Sequence, residues 1–504
     1  MALSSFHRFG VTALVLSAAL VSFGGQAKQA GYDPLALMLT WRQDPTTTMT
    51  IDWHSLPKER RSSRLEYREL GAVPWRTVFG EIRAYPHSDR VLHRAELTGL
   101  KPGTLYEFRF DVTSRVFRFK TMPATAAEPI RVAVGGDTMH SQEWLERTNR
   151  AAMKHDPDFI LWAGDIFYCG GRASNVHRVF QFFDALKKTL IHPDGRVVPV
   201  VAAIGNHEVR EGYFFLNEDA EESDAWRSSA APYFYALFAF PGHPGYNVLD
   251  FGDYMSLVIL DSDHSNPIHG RQEAWLEEVL EARQHVPHLF PVYHVPAYPS
   301  HRSFVNGLSD RVRDHWVPLF EAYGVEVAFE AHDHLYKRTQ PMLNGAVHPN
   351  GIVYVGDGAW GVATREPNPD NAWYLAEAQA RRHFVMLTIQ GDQRRMDVFD
   401  EYGVLFDAFG ELPSPEPPDA GSDPPNPPDT PPAPVLPPSL PESAPAPLRG
   451  DVNNDGKVDA IDVQLVIRAA LGLSVPSGYA PDVNENGRVD AGDIQSVINA
   501  ALGL

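Results

Sequence analysis

Five short polar blocks, spread over about two hundred of the chain's 504 residues, contain the side chains that two metal ions sharing a site require. Each block ends or follows an apolar run typical of a buried strand. The blocks offer carboxylate, amide and imidazole ligands without a thiolate, a set suited to hard or borderline divalent and trivalent metals. Paired metals are a common device for hydrolysing phosphate esters. The blocks are GGD at 135–137, GDIFY at 164–168, GNHE at 205–208, the segment around His294, and AHDH at 331–334.

Taken singly, these side chains also have ordinary structural interpretations. Asp137 and Asp165 each follow an apolar run and a glycine, where an aspartate can cap the next helix as readily as it binds a metal. His332 and His334 are separated by one residue, so both imidazoles can face one side of an extended backbone. Asn206 follows a third apolar run. The recurrence of such blocks in one chain favours a joint metal site over separate structural roles.

The region that must position these blocks spans residues 128–410. Apolar runs alternate there with stretches of helical periodicity, which predicts an α/β core. Catalytic loops in such folds lie at the carboxyl ends of strands, and the five blocks fall at the ends of the apolar runs. The expected helices cover 142–154, 176–190, 271–284 and 309–323.

Residues 32–122 have a different pattern, with short alternating strands separated by turn residues. This pattern predicts an all-β sandwich. A Pro102-Gly103 turn precedes a strand that carries Tyr106 and Phe108, an arrangement that resembles fibronectin type III domains.

The amino terminus is typical of a secretory signal peptide over residues 1–27. His7 and Arg8 precede an apolar stretch at 11–23, and small residues follow at 25–27. The stretch is short for a membrane span, and a retained anchor is the alternative. We therefore expect secretion to the extracellular or periplasmic space, with no membrane span after cleavage. Cys169 is the only cysteine, so an internal disulfide is excluded.

The carboxyl-terminal part is acidic and proline-rich. Residues 411–449 hold 16 of the 42 prolines, which predicts a semi-rigid linker before a last domain at 450–504. Half of the net charge of −20 lies in residues 411–504. This acidity argues against a nucleic-acid-binding surface, which needs a basic face.

The last domain contains a repeated loop, DVNNDGKVDAID at 451–462 and DVNENGRVDAGD at 482–493. Oxygen side chains at alternating positions and a glycine at the sixth are what a calcium loop requires. Aspartate at the twelfth position, followed by an apolar helix, resembles a type I dockerin. That resemblance implies bound calcium and a cohesin-type partner, whose identity stays open because Ala460-Ile461 and Ala491-Gly492 replace the usual Ser-Thr type pair. The expected calcium-loop residues are Asp451, Asn453, Asp455, Lys457, Asp459, Asp462, Asp482, Asn484, Asn486, Arg488, Asp490 and Asp493.

Over roughly residues 40–410 the blocks together resemble the metallophosphoesterase superfamily, and specifically the purple acid phosphatases. The most specific element is Gly164-Asp165-Ile166-Phe167-Tyr168. The resemblance implies two mixed β-sheets flanked by helices, with Asp165 bridging both metals and Tyr168 binding iron as tyrosinate. It implies Fe(III) held by Asp137, Asp165, Tyr168 and His334, and a divalent zinc, manganese or iron ion held by Asp165, Asn206, His294 and His332.

The implied reaction is hydrolysis of phosphomonoesters by attack of metal-activated hydroxide. His207, matched in the GNHE block, and His301, which is not at the family's usual spacing, are the expected catalytic histidines. The sequence departs from the family at Met139 and Ala331, where glycine is usual, and His140 is one residue too late to match the superfamily's histidine ligand. The alternatives are a phosphodiesterase or nucleotide hydrolase on the same fold, and a non-catalytic cohesin-binding scaffold component.

Overall fold

A computed structural model describes residues 32–59, 61–238, 244–413, 450–452, 458, 460–470, 481–484 and 488–501. The chain forms two compact units, Met1–Pro415 and Glu416–Leu504. In the described ranges, none of the helices has the length and apolar character needed to cross a bilayer. The predicted signal peptide at 1–27, most of the linker, and the calcium-loop residues Asn453, Asp455, Lys457, Asp459 and Asn486 lie outside the described residues.

The first unit begins with two four-stranded antiparallel sheets, ordered β1-β2-β6-β5 and β4-β3-β7-β8. Trp53 is buried against Phe110, with ring centroids 4.9 Å apart, whereas Trp41 is buried against Phe159 and Phe251 of the α/β part, at 5.5 and 5.9 Å. The sequence did not indicate β4 and β5, because each is only four residues long and nearly all of their side chains are exposed. The strands are β1 (Ala36–Thr40), β2 (Met49–Ser55), β3 (Arg64–Glu69), β4 (Arg76–Phe79), β5 (Glu81–Ala84), β6 (Val91–Leu97), β7 (Leu105–Arg109) and β8 (Phe117–Lys120).

Two mixed sheets follow, which confirms the expected α/β architecture. A six-stranded sheet has the order β11-β10-β9-β21-β22-β23, and a seven-stranded sheet has the order β12-β13-β14-β15-β19-β16-β20. The strands are β9 (Ile130–Gly135), β10 (Phe159–Trp162), β11 (Val200–Ala202), β12 (Asn247–Phe251), β13 (Met255–Ile259), β14 (His288–Val292), β15 (Val327–Glu330), β16 (Tyr336–Thr339), β17 (Met342–Leu343), β18 (Ala346–Val347), β19 (Val353–Gly356), β20 (Leu375–Gln379), β21 (His383–Gln390), β22 (Gln393–Asp400) and β23 (Leu405–Gly410).

Parallel pairing is concentrated where the polar blocks leave the sheets. Strands β9, β10 and β11 are parallel in the first sheet, and β13, β14, β15 and β19 are parallel in the second. The blocks that follow parallel neighbours within a sheet therefore emerge at the same edge of that sheet.

Seven helices are described in the first unit. The helix expected over 309–323 is two helices, because the ring and missing N–H of Pro318 prevent a continuous turn there. The helices are α1 (Gln142–Met153), α2 (Val176–Thr189), α3 (Asp224–Ala230), α4 (Pro232–Leu237), α5 (Arg271–Glu281), α6 (Gly307–His315) and α7 (Val317–Ala322).

The β-sandwich packs directly against the α/β part. Buried Arg94 pairs with Asp52 and also donates to the carbonyls of Ala236 and Leu237, at 3.0 and 3.1 Å. His54 on β2 lies between Tyr85 and Phe183, with ring centroids 4.5 and 4.7 Å away. These contacts join the two parts into one compact unit.

The described residues of the second unit include two helices, α8 (Ala460–Ala470) and α9 (Ala491–Ala501). Val452, Val466 and Val497 form its small buried core. The aspartates at the twelfth position of each loop are buried and accept backbone hydrogen bonds. Val452 N donates to Asp462 at 2.8 Å, and Asn484 N donates to Asp493 at 3.0 Å.

Candidate metal centre

The predicted ligands converge from both sheets. Asp137, Asp165 and Asn206 follow β9, β10 and β11 of the six-stranded sheet, while His294 follows β14 of the seven-stranded sheet. The pair His332 and His334 follows β15. The structure brings these side chains, with Tyr168, into direct contact with one another, although they come from two sheets and span nearly two hundred residues.

Asp165 belongs to two groups of ligand atoms at once. One group joins it to His294 and His332, and the other joins it to Asp137 and His334. Within each group the ligand atoms lie within 4.8 Å of one another. All five side chains are almost fully buried. Because one carboxylate serves both groups, the arrangement has two adjacent positions for cations.

The group that contains Asp137 and His334 is extended by a tyrosine. Tyr168 Oη donates to Asp137 Oδ1 at 2.8 Å and lies 3.2 Å from His334 Nε2. His334 Nε2 is itself 2.9 Å from Asp137 Oδ1. The three side chains therefore direct a phenolic oxygen, a carboxylate oxygen and an imidazole nitrogen to one point.

The group that contains His294 and His332 is extended by an amide. His294 Nε2 lies 3.2 Å from Asn206 Oδ1, 3.2 Å from Asp165 Oδ2 and 3.1 Å from His332 Nδ1. The opposite nitrogen of His294 faces the Ala163 carbonyl at 2.9 Å. Since that carbonyl accepts the Nδ1 hydrogen, Nε2 carries the lone pair that a metal needs.

His332 has a similar hydrogen-bond partner on its non-ligand nitrogen, and nothing in the sequence indicates it. The Tyr213 hydroxyl lies 3.3 Å from His332 Nε2, on the side of the ring opposite the ligand group. The hydroxyl oxygen accepts the Nε2 hydrogen, so Nδ1 is the nitrogen whose lone pair is free to bind a metal. The only available signal was a tyrosine in a loop of no recognisable motif, so sequence alone gave no reason to choose it.

The backbone around the ligands is strained. Asp137, Asp165, Tyr168, His332 and His334 all have positive φ, between 53° and 82°. Such conformations are costly for residues other than glycine and cluster at functional sites. Gly358, with φ of 69°, leaves room for the site. A Cβ there would lie 1.7 Å from Asp137 Oδ2.

The structure excludes helix capping as the role of Asp137 and Asp165. The N-cap of α1 is Ser141, whose side chain accepts from Trp144 N, and the N-cap position of α2 is Asn175. Asp137 and Asp165 instead accept backbone N–H groups at the site, from His332 at 2.9 Å and from His207 at 2.7 Å. Neither aspartate caps the helix that follows it.

Surrounding carboxylates brace the ligand loops. Glu208 is buried and accepts the backbone N–H groups of Ile166, Phe167 and Gly205 at 2.7, 3.0 and 3.0 Å, which ties the second block to the third. Burial, reinforced by the charge of Asp165, raises the pKa of Glu208 to about 8.

A second brace lies behind the histidines. The fully buried Lys337 ammonium pairs with Glu330, and it lies 3.4 Å from Asp357. Glu330 in turn accepts the Ala297 N–H at 2.6 Å, just beyond His294. This buried charge cluster fixes the loop that follows β14.

The two predicted catalytic histidines occupy different environments. His207 has a side chain 47% exposed, stacks on the Tyr168 ring at 4.4 Å between centroids, and places Nε2 3.9 Å from Asp165 Oδ2. His301 is exposed, and its Nδ1 lies 2.8 Å from the Glu366 carbonyl. His140 also lies beside the site, with its ring centroid 4.7 Å from that of Tyr168.

The donor set fits metal ions of the expected kind. Asp165 Oδ2 is a buried carboxylate oxygen that accepts no hydrogen bond of good geometry from the described residues, although it lies 3.2 Å from His294 Nε2. Burial, with the nearby Asp137 carboxylate, raises the pKa of Tyr168 well above its ordinary value. A tyrosinate at this position therefore requires a strongly Lewis-acidic cation next to it.

Three family models match the chain. Residues 130–336 match the calcineurin-like phosphoesterase family, residues 34–121 match the purple acid phosphatase N-terminal domain, and residues 449–502 match the dockerin type I domain. Fold and site together define a metal-dependent phosphoesterase. Within that class, the first unit is similar to purple acid phosphatases, and the carboxyl-terminal part is similar to dockerin type I domains.

Individual relatives agree with this assignment. The chain is 26% identical to purple acid phosphatase 15 of Arabidopsis thaliana over 60% of its own length and 59% of that protein. It is 27% identical to acid phosphatase type 7 of Mus musculus over 74% of the chain and 90% of the relative. A purple acid phosphatase from yellow lupin (Lupinus luteus) seeds has the same fold, with a TM-score of 0.61, 19% identity, and coverage of 74% of this chain and 73% of that one.

Proposed function

We propose that this chain is an exported phosphatase that hydrolyses phosphomonoesters at a binuclear metal site. The observation that carries the proposal is the sharing of Asp165 by two groups of ligand atoms. A carboxylate shared in this way holds two cations close enough to act on one phosphate group. The relatives named as acid phosphatases support the choice of phosphate ester as substrate.

For the metals, we infer Fe(III) in the group that contains Tyr168 and a divalent zinc, manganese or iron ion in the other group. When bound, the two ions supply Lewis acidity, which lowers the pKa of water and neutralises phosphoryl oxygens. The Fe(III) ligands proposed are Asp137, Asp165, Tyr168 and His334, and the divalent ligands are Asp165, Asn206, His294 and His332.

His207 is proposed as the general acid. Its ring is half exposed and places Nε2 3.9 Å from the shared carboxylate of Asp165, so it can reach a substrate bound at the metals. As the P–O bond breaks, the proton on His207 passes to the leaving oxygen, and the alcohol departs neutral. His301 donates its Nδ1 hydrogen to Glu366, which leaves Nε2 as the atom that contacts the phosphate.

The carboxyl-terminal unit is proposed to bind calcium and dock onto a cohesin-type protein outside the cell. Its dockerin match supports the partner class. Buried Asp462 and Asp493, each turned towards its own loop backbone, support the calcium sites. The other calcium-loop residues named in the sequence analysis are likewise proposed as calcium ligands.

The test of the proposed function compares two chromogenic substrates. The purified full chain is assayed with p-nitrophenyl phosphate and with bis-p-nitrophenyl phosphate, over a range of pH and with defined metals added. We expect kcat/KM for the monoester to exceed that for the diester by about tenfold or more. Equal or faster diester hydrolysis would instead assign the same site to a phosphodiesterase.

A further inference from the structure

Two arginine side chains converge on one carbonyl at the edge of the metal centre. Arg302 Nη1 lies 3.1 Å from the His332 carbonyl oxygen, and Arg365 Nη1 lies 3.4 Å from the same atom. The two Nη1 atoms are therefore within about 6.5 Å of each other. They stand directly behind a proposed ligand of the divalent ion.

The negative charge around this pair balances only one of the two cations. Arg302 pairs with Asp333, a buried carboxylate whose Oδ2 is also occupied by the backbone N–H groups of His301 and Arg302, at 2.7 and 3.1 Å. Among the described residues, Arg365 has no carboxylate within salt-bridge distance, 4.0 Å. One positive charge at this edge is therefore left for a ligand.

The Arg365 guanidinium is not needed to hold the ligand loop. The Arg365 backbone N–H already donates to the His334 carbonyl at 3.0 Å. Two more hydrogen bonds hold the loop. His332 N donates to the Asp137 carboxylate at 2.9 Å, and His334 N donates to the Asp357 carbonyl at 2.8 Å. The side-chain contact of 3.4 Å adds little to these main-chain bonds.

Both guanidinium groups remain accessible. The Arg302 side chain is 32% exposed, and Arg365 is half-buried. Guanidinium groups bind carboxylates and phosphates through parallel N–H donors, and two such groups beside a phosphate-binding centre form an anion site.

We propose that Arg302 and Arg365 form a subsite for a second anionic group, a phosphate or a carboxylate, on the substrate. The inference rests on the proposed function, since the subsite is useful only if the phosphoryl group is bound at the metals. The substrate class is then a phosphate ester that carries a further negative charge a few atoms away from the phosphorus. Singly phosphorylated neutral alcohols would use only the metal centre.

The test uses two non-hydrolysable ligands that differ only at the far end. Propylphosphonate ends in a methyl group and 3-phosphonopropionate ends in a carboxylate. Dissociation constants for both are measured by calorimetry on the metal-loaded full chain. We expect the wild type to bind 3-phosphonopropionate about tenfold more tightly than propylphosphonate, the preference that one charge-assisted contact confers.

Three variants make the result specific. Arg365→Met should abolish the tenfold preference, while Arg365→Lys should keep part of it because the charge remains. Arg76→Met is the matched control, since Arg76 is an exposed arginine on β4 of the β-sandwich and its loss should leave the preference intact.

Two outcomes would overturn the subsite: a wild type without preference for the carboxylate, or an Arg365→Met protein that keeps it. The same preparations are assayed with p-nitrophenyl phosphate. If the protein hydrolyses p-nitrophenyl phosphate but shows no preference for the carboxylate ligand, only the subsite proposal is refuted. If it does not hydrolyse p-nitrophenyl phosphate, the proposed function is refuted.

Discussion

Replacing Gly358 by alanine should remove one metal position and leave the other. A Cβ at Gly358 would lie 1.7 Å from Asp137 Oδ2, whereas real Cβ contacts essentially never fall below 3.0 Å. The carboxylate must therefore move by about 1.3 Å, well beyond the roughly 0.2 Å within which metal–ligand distances hold. The group formed by Asp137, Asp165 and His334 should no longer bind its ion.

Backbone strain alone needs a control, which the chain provides in Gly345. Gly345 has φ of 71°, close to the 69° of Gly358, but a Cβ there would meet nothing within 4 Å. Each alanine should cost about 1 kcal/mol of stability through its left-handed backbone. Only Gly358→Ala should also displace a ligand.

The assay is calorimetric titration of the chelator-stripped protein with Zn²⁺, alongside thermal unfolding. The wild type and Gly345→Ala should each bind two ions in the catalytic unit, and Gly358→Ala should bind one. If Gly358→Ala binds two ions with wild-type affinity, the role assigned to Asp137 is wrong. If Gly345→Ala also loses an ion, strain and not the clash is responsible.

Three further predictions concern the surroundings of the site and the stability of the fold. Tyr213→Phe should weaken binding of the divalent ion about 10- to 100-fold in chelator competition, because His332 loses the partner that orients it, and unchanged affinity would contradict that role. Lys337→Met should lower the free energy of unfolding by about 3–5 kcal/mol in urea titrations, because Glu330 is left buried without its partner. A loss below about 1 kcal/mol would contradict the stabilising role of the Lys337–Glu330 pair. Burial lowers the pKa of His54 to about 3 from about 6.5 in the unfolded chain, so folded His54 is neutral and stability is lost as pH falls below about 6.5. Between pH 6.5 and about pH 4.5 the wild type should lose about 2 kcal/mol of stability through His54, and His54→Leu should abolish that loss. An unchanged pH profile of unfolding in the variant would contradict this role.

The sequence predicted the parts of the site that lie at strand ends. Apolar runs followed by Gly-Asp or Gly-Asn predicted that polar ligands lie just after the ends of β9, β10 and β11. This was possible because local periodicity determines those strands. The short spacing of His332 and His334 likewise indicated that they act together. Pro318, which divides the expected helix at 309–323, was visible in the sequence, and its effect follows from its missing N–H.

The sequence could not predict contacts that depend on long loops. Tyr213, Arg302 and Arg365 reach His332 from segments without periodicity or motif, so only the folded chain shows that they meet. Asp333 shows the same limit. It lies between two proposed ligands in sequence, yet its carboxylate turns to the backbone at 301–302 instead of to the metal positions. Tertiary packing decided these positions.

The most direct test of the central claim is the kcat/KM of Asp165→Asn with p-nitrophenyl phosphate, measured beside the wild type at equal metal concentration. Asparagine preserves the shape of the side chain but removes the charge that both groups of ligand atoms share. A binuclear site centred on Asp165 predicts a loss of at least about a hundredfold, because removal of a shared ligand should exceed the effect of losing one supporting contact. Hydrolysis by Asp165→Asn within a few-fold of the wild type would contradict the assignment of catalysis to this site.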